Sequence, residues 1–432
     1  MKRRISLLCL MAAMLVMVPL LQACGKAGDS GGKVELTMSA WGNPAELKVY
    51  QRAIDAYEEK NKNVSVKLIP IPSDGYEQKL LTELSGGAGA DVFYVGDTTM
   101  AKLVKSNSVL PLADFLKTDA SYTKAEEYAE GLWGAAKQGE ELYGITVDCN
   151  PYVMYYNIKL FKEAGLKTPQ QYFDEGTWNW DTFKEVTATF KSMNKYGFVQ
   201  EKGSLPMLNW VWSNGGNMYD KEGSYVYDKD PKAQEAIAYI ADLVKSGGVI
   251  YGGSLPKGQG MDAMFMSQQV AMVTAGRWLT PMFSENKSLE FDYIPWPTNT
   301  PEKTNPSGIA VAYVAVNKNS KQQEEAKKFL SFYVSKEGQK ARLADTGNAV
   351  PSVAGIDEVV LDTGIPAHAN YLLTGRDIGI APGSPQTYYA QIPGLSNEVE
   401  DLYDLMLLGK ASSEETIENI SSIVKKKTEE AK

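Results

Sequence analysis

The chain is short of the groups on which most enzyme chemistry depends. Among 432 residues there is one histidine, His368, and there are three cysteines. A single histidine excludes a zinc site of Cys and His ligands. It also excludes most imidazole acid/base chemistry and leaves a Ser-His-Asp arrangement dependent on His368 alone. No GxxxxGK[ST] segment is present, and the glycine-rich Ser85-Gly86-Gly87-Ala88-Gly89-Ala90 precedes a strand pattern, whereas a phosphate loop opens a helix. No basic block is present and the net charge is −9, which argues against nucleic acid as a partner. Asp220-Lys221-Glu222-Gly223 lacks the spaced acids of a calcium loop and reads as a hairpin turn. No metal and no cofactor is expected. Nothing sets two carboxylates at a hydrolytic spacing, although Asp91, Asp97, Asp148 and Glu201 are available.

One long apolar run exists, and it lies at the start. Lys2, Arg3 and Arg4 precede an uncharged stretch from Ile5 to Leu21, then Leu21-Gln22-Ala23-Cys24-Gly25. A basic start, a short apolar run and small residues before a cut site form a secretory signal. The run is shorter than the roughly 20 residues a spanning helix needs. Leu-x-Ala-Cys resembles the lipobox of bacterial lipoproteins, so residues 1–23 read as a signal peptide and Cys24 as the lipidation site. Residues 24–33, rich in Gly and small polar residues, read as a flexible tether. Cleavage would remove Lys2, Arg3, Arg4 and Cys9, taking the net charge from −9 to −12 and leaving Cys149 without a partner.

Beyond the tether, 44% hydrophobic and 22% charged residues over the whole chain indicate a globular protein with ample core. Val34 to Ala40 alternates as a strand, Trp41-Gly42 ends it, and Asn43-Pro44 caps a helix whose Leu47, Tyr50, Ile54 and Tyr57 share a face. Val64–Ile69 is a second strand, and a helix carrying Tyr76, Leu80, Leu81 and Leu84 stops at Gly86-Gly87. A third strand over 91–95 breaks at Gly96, with Asp97 placed to cap the next helix. Such alternation predicts an open parallel sheet with helices on both faces. From Tyr152 to about Thr304 the pattern is helix-rich with fewer strands. A strand returns over Ile309–Val316, followed by a capping box Ser320-x-x-Gln323 and a helix; another amphipathic helix covers Ser412–Lys432.

The eight tryptophans lie mostly at element ends beside Gly, Pro or Asn. Strand ends of an open α/β sheet are where ligands bind, which singles out Trp41 and the Gly96-Asp97 corner. Flat aromatics cover the C–H faces of sugar rings while Asp, Asn and Arg pair with the hydroxyl rim.

With Trp41 ending the first strand, Tyr76-x-x-Lys79-Leu80, Gly89-Ala90-Asp91-Val92, Tyr143-Gly144-Ile145, Met154-Tyr155-Tyr156-Asn157, Leu160-Phe161-x-x-Ala164-Gly165-Leu166, Trp180-Asp181-Thr182-Phe183 and Gly276-Arg277-Trp278 in this order, the chain resembles the extracellular solute-binding proteins of ABC importers, the family that includes maltose-binding proteins. The likeness continues through Gly308, Asn317-Lys318, Ala326–Leu330, Gly347 and Pro351. It implies an α/β, two-lobed periplasmic-binding-protein (Venus flytrap) fold with hinge strands between the lobes. By that likeness lobe one spans 34–148 and 312–354, and lobe two spans 149–311 and 355–432. Where the family commonly has Gly-Gly at the second crossing, this chain has Ser307-Gly308. The positions matching the family's ligand site are Trp41, Asn43, Asp97, Asp148, Trp212, Trp278 and Trp296, with Arg277 a further candidate. The implied function is capture of a carbohydrate, an oligosaccharide, for an ABC permease, by a monomer outside the cytoplasm, lipid-anchored to the membrane and not an enzyme. Two alternatives stand beside it: the same fold holding a peptide or polyamine, and a secreted polysaccharide-processing enzyme.

Overall fold

The computed structural model describes residues 33–431 apart from 382, 383 and 386. The leader, Cys24 and most of the tether lie outside the described residues. Twelve strands follow among them: β1 (Val34–Ala40), β2 (Val64–Pro70), β3 (Val92–Gly96), β4 (Lys137–Gln138), β5 (Glu141–Leu142), β6 (Ile145–Pro151), β7 (Val153–Asn157), β8 (Tyr196–Gln200), β9 (Val249–Tyr251), β10 (Val270–Ala275), β11 (Phe291–Ile294) and β12 (Ile309–Val316). Two five-stranded sheets carry the architecture, in the orders β2-β1-β3-β12-β6 and β11-β7-β10-β8-β9. Each forms the centre of a lobe with its own apolar clusters, so the molecule has the expected α/β, two-lobed fold.

The local chemistry of the first lobe follows the sequence closely. Asn43 caps the helix Pro44–Lys60, its Oδ1 accepting from the N–H groups of Ala45 and Glu46 at 2.9 and 3.0 Å, while the Glu46 carboxylate accepts from Asn43 N. Val49, Tyr50, Ile54 and Tyr57 of that helix are buried against the sheet. β1 pairs in parallel with β2 and β3, as the alternation requires, but β12 runs antiparallel to both β3 and β6. Three expectations change. Asp97 begins its helix as the first residue and Gly96 is the cap, because the Asp97 carboxylate is used elsewhere. Ser320 does not cap Gln323–Val334; its hydroxyl donates to Asp91 at 2.6 Å. The region 152–304 contributes a sheet as large as the first, because β7, β10 and β11 are buried on both faces and show no alternation in sequence.

The chain passes between the sheets three times. β6 ends at Pro151 in one sheet and β7 begins at Val153 in the other. The return enters β12, whose Ile309 pairs with Pro151, and Tyr152 N donates to Gly308 O at 2.9 Å. The third passage leaves the helix Lys336–Leu343, packed on Pro44–Lys60, and reaches Val359 and Val360 in the second lobe's apolar cluster.

Asp148 on β6 and Arg342 hold this region from the first lobe. Their side chains are 8% and 0% exposed, and Arg342 Nη1 meets Asp148 Oδ1 at 2.6 Å. Arg342 also donates to Val147 O at 2.6 Å and to Asn348 Oδ1 at 3.2 Å. Burial opposes its charge, yet Asp148, with the Tyr94 and Tyr333 hydroxyls, keeps the guanidinium above its ordinary range. Removing one partner of such a pair leaves a buried charge unmatched, which costs about 3–5 kcal/mol. Arg342→Met is therefore expected to lower the unfolding free energy obtained from denaturant titration by that amount, and the double variant D148L/R342M to recover most of it. Equal loss in the single and double variants would show that packing, not the pair, carries the stability.

Candidate functional site

A cavity of about 410 Å³ opens between the two lobes. Its floor is the second crossing, Gly308 to Val311, with the Tyr313 side chain. One wall is the Gly96-Asp97-Thr98 corner with Glu77, Gly131 and Gly134; the other is the Lys202–Pro206 turn with Tyr152 and Trp212. The third side comes from the C-terminal segment, with Tyr388, Tyr389, Ser396 and Glu400.

Asp97 is fixed from behind. Its Oδ1 accepts from Ala135 N and from Tyr313 OH, both at 2.8 Å, which leaves Oδ2 at the cavity wall without a hydrogen-bond partner among the described residues. This corner depends on Gly134. It has φ +44°, and a Cβ there would stand 2.3 Å from Tyr313 OH and 2.5 Å from Asp97 Oδ1. Gly308 gives similar access on the floor, where a Cβ would lie 2.9 Å from Leu205 and 3.2 Å from the Trp212 ring. Trp212 is 4% exposed and its indole N–H has no acceptor among the described residues.

The charge in the lining is acidic. Glu77, Asp97 and Glu400 face one cation, Lys202, whose ammonium is held by Asp404 at 2.8 Å. Glu201, next to Lys202, carries a buried Oε2 with no partner among the described residues. Burial, then the charge of Glu400, pushes its carboxyl up to about 8. Burial also raises Glu400, against the pull of the Ser204 N–H and Lys202.

The structure brings together only part of the expected site. Asp97 and Trp212 line the cavity. Trp278 stands behind it, edge-on to the lining residue Tyr152 with ring centres 5.5 Å apart. Trp41 packs edge-on against Tyr76 and Tyr94 at 5.1 and 5.5 Å, and Asn43 is committed to its helix cap. Asp148 is consumed by Arg342. Trp296 is core, 5.2 Å from Trp210 and 4% exposed. Arg277 is 1% exposed and donates to the carbonyls of Ala349, Asp345 and Val359 behind the cavity. None of these last five residues lines the cavity. Tyr388, 44% exposed, Lys202 and Glu400 line the cavity and are not among the expected site residues. Adjacent tyrosines at 388 and 389 in a stretch rich in Pro and Gly were the available signal.

Three comparisons bear on this arrangement. The family model described as bacterial extracellular solute-binding protein matches residues 41–340. A binding protein of Brucella abortus (strain 2308) is 23% identical over 411 residues, covering 93% of this chain and 94% of its own length. The diacetylchitobiose binding protein DasA of Streptomyces coelicolor is 26% identical over 381 residues, 82% of each chain. Among solved structures, an ABC substrate-binding protein from Listeria monocytogenes in complex with cycloalternan superposes with a TM-score of 0.76 at 21% identity, covering 92% of this chain and 99% of that one.

The raised carboxyl of Glu201 has a stability consequence. Folded protein binds more protons than unfolded protein between the ordinary 4.5 and about 8, so stability contributed by the protonated form is present below that window and lost as pH rises through it. Glu201→Gln keeps the neutral shape and is expected to flatten the fall of the thermal midpoint between pH 5 and 8. Parallel curves for the variant and the unaltered chain would mean that Glu201 titrates as an ordinary carboxylate.

Proposed function

The chain belongs to the bacterial extracellular solute-binding proteins, and on that premise we propose that it captures an oligosaccharide between its lobes and delivers it to an ABC permease. Members of this family are binding proteins that work outside the cytoplasm with transport components. Trp212 carries the sugar reading. A buried indole N–H without an acceptor, in the wall of a cavity that also holds the uncommitted Asp97 Oδ2, is a site awaiting a ligand's polar rim. Tyr388 and Tyr152 supply aromatic surface beside it. The sugar-binding names of the Streptomyces and Listeria proteins support the same class. Acidic lining with its lysine already paired suits a neutral or amine-bearing glycan and disfavours a uronate.

Anchoring is part of the proposal. Cys24 would carry the lipid and residues 24–33 the tether, holding a monomeric receptor near its permease. The apolar run, the small residues before Cys24 and the Gly-rich stretch after it support this. One measurement checks that proposal: metabolic labelling with a fatty acid should mark the full chain and leave Cys24→Ser unmarked.

Binding is tested with the chain from Lys33 onward, titrated with mono- and oligosaccharides while tryptophan fluorescence and the thermal midpoint are followed. A ligand at one hundred times its Kd stabilises the folded state by about 2.7 kcal/mol. One glycan should give a saturable shift and be recovered uncleaved. Trp212→Phe keeps a ring and removes the N–H, and is expected to weaken that glycan about tenfold, near 1.4 kcal/mol. A response to peptides or polyamines alone would replace the sugar, and a cleaved glycan would make the chain an enzyme.

A further inference from the structure

Arg277 has no role in the cavity, yet it is among the largest fully buried side chains of the molecule. It follows β10 of the second lobe, and its bonds reach two of the three passages between lobes. Its backbone N–H donates to Asn150 Oδ1 on β6 at 3.1 Å. Its Nη1 donates to Ala349 O at 3.1 Å and its Nη2 to Asp345 O at 3.3 Å, both on the loop after the helix Lys336–Leu343. A further bond from Nη2, to Val359 O at 3.1 Å, returns to the second lobe's own cluster.

The loop is shaped for this contact. Asp345 takes φ +56°, a left-handed conformation that Asp tolerates better than most residues. Gly347 lets the guanidinium come close, since a Cβ there would stand 3.0 Å from Arg277 Nη1 and 2.5 Å from Leu343 O. Among the described residues Arg277 has no carboxylate partner, and its buried guanidinium donates to those carbonyls. Any rotation that separates the loop from β10 would strip the cation of donors' partners it cannot replace.

Arg277 is not the sole tie: Gly308 N donates to Asn209 Oδ1 at 2.6 Å, and Cys149 N donates to Val350 O at 3.3 Å between the first and third passages. Lys48 meets Glu285 at 2.8 Å with both side chains more than half exposed, a type of pair that contributes little. Tyr388–Gln391 touches the helix Asp97–Lys105 across the cavity mouth. We infer that Arg277 is a positioning residue that holds the two lobes at the angle they take here by binding β10 to the first and third passages. This rests on the reading that the lobes close on a ligand, but it can be measured without one.

The test is small-angle X-ray scattering of the ligand-free chain from Lys33 onward, which contains every described strand and helix, beside Arg277→Met. The variant should show a larger radius of gyration at unchanged far-ultraviolet circular dichroism. A lower thermal midpoint with an unchanged radius would mean that Arg277 is only a structural contact and would overturn the assignment. If Arg277→Met does not fold, Arg277→Lys keeps the charge but cannot reach three carbonyls at once; it should expand in the same sense, and a folded Lys variant scattering like the unaltered chain overturns the proposal. Failure to bind any sugar would leave these radii unaffected, so the two readings fail separately.

Discussion

Everything at the centre of this molecule depends on pairing backbone polar groups where the chain leaves one sheet for the other. Buried N–H and C=O groups must find partners, and a crossing strand has left its sheet neighbours behind. Here β6 and β12 solve the problem by continuing their antiparallel ladder to Ile309–Pro151 and adding the bond from Tyr152 N to Gly308 O. Gly308 N is satisfied in turn by Asn209 Oδ1 at 2.6 Å, from the helix Ser204–Ser213 of the second lobe. The crossing is thereby a shared floor, and its side chains decide the site. Tyr313 rises from it to fix Asp97, while Gly308 leaves room for Trp212.

That floor explains the electrostatics above it. A cavity walled by protein strips water from its carboxylates, so they protonate, find donors or find cations. The chain uses all three solutions, at the cavity wall and behind it. Asp97 has Ala135 N–H and Tyr313 OH; Asp148 has Arg342; Glu201, next to Glu400 and without a cation of its own, is pushed towards its neutral form. Glu46 behaves like Glu201 at the foot of its helix, where burial raises it to about 7 while the Asn43 N–H pulls the other way.

Much of the first lobe was legible because its signals are local. Asn43-Pro44 marks a helix start by geometry that involves four residues, and Val34–Ala40 shows one buried face in its alternation. The turn at Asp220 was readable for the same reason, its Oδ1 accepting from Glu222 N and Ser224 N within the segment. The second sheet was not, because strands buried on both faces carry no period. Ser320 misled because its Oγ accepts from Gln322 N in a turn before the helix, while its hydroxyl donates to Asp91, distant in sequence. Arg277 misled similarly: beside Trp278 it resembles a ligand contact, and only the fold shows three carbonyls meeting around it.

The tryptophans show why residue type alone could not separate site from core. Trp178, Trp180 and Trp210 each donate to a protein acceptor, Pro295 O, Ser213 Oγ and Gln200 Oε1, and are thereby committed to the second lobe's interior. Trp212 and Trp296 both keep an N–H without an acceptor, yet only Trp212 borders the cavity. An unsatisfied donor is therefore a mark of a site only where a ligand can reach it. Trp296, closed in by Trp210 and Phe198, bears that cost for packing. Under the proposed function the same deficit at Trp212 would favour the ligand-bound state, with a hydroxyl between the lobes supplying the missing acceptor. On that proposal the free energy recovered there would be available only where floor, corner and C-terminal segment meet, and such a differential contact is what would let a ligand shift the lobes.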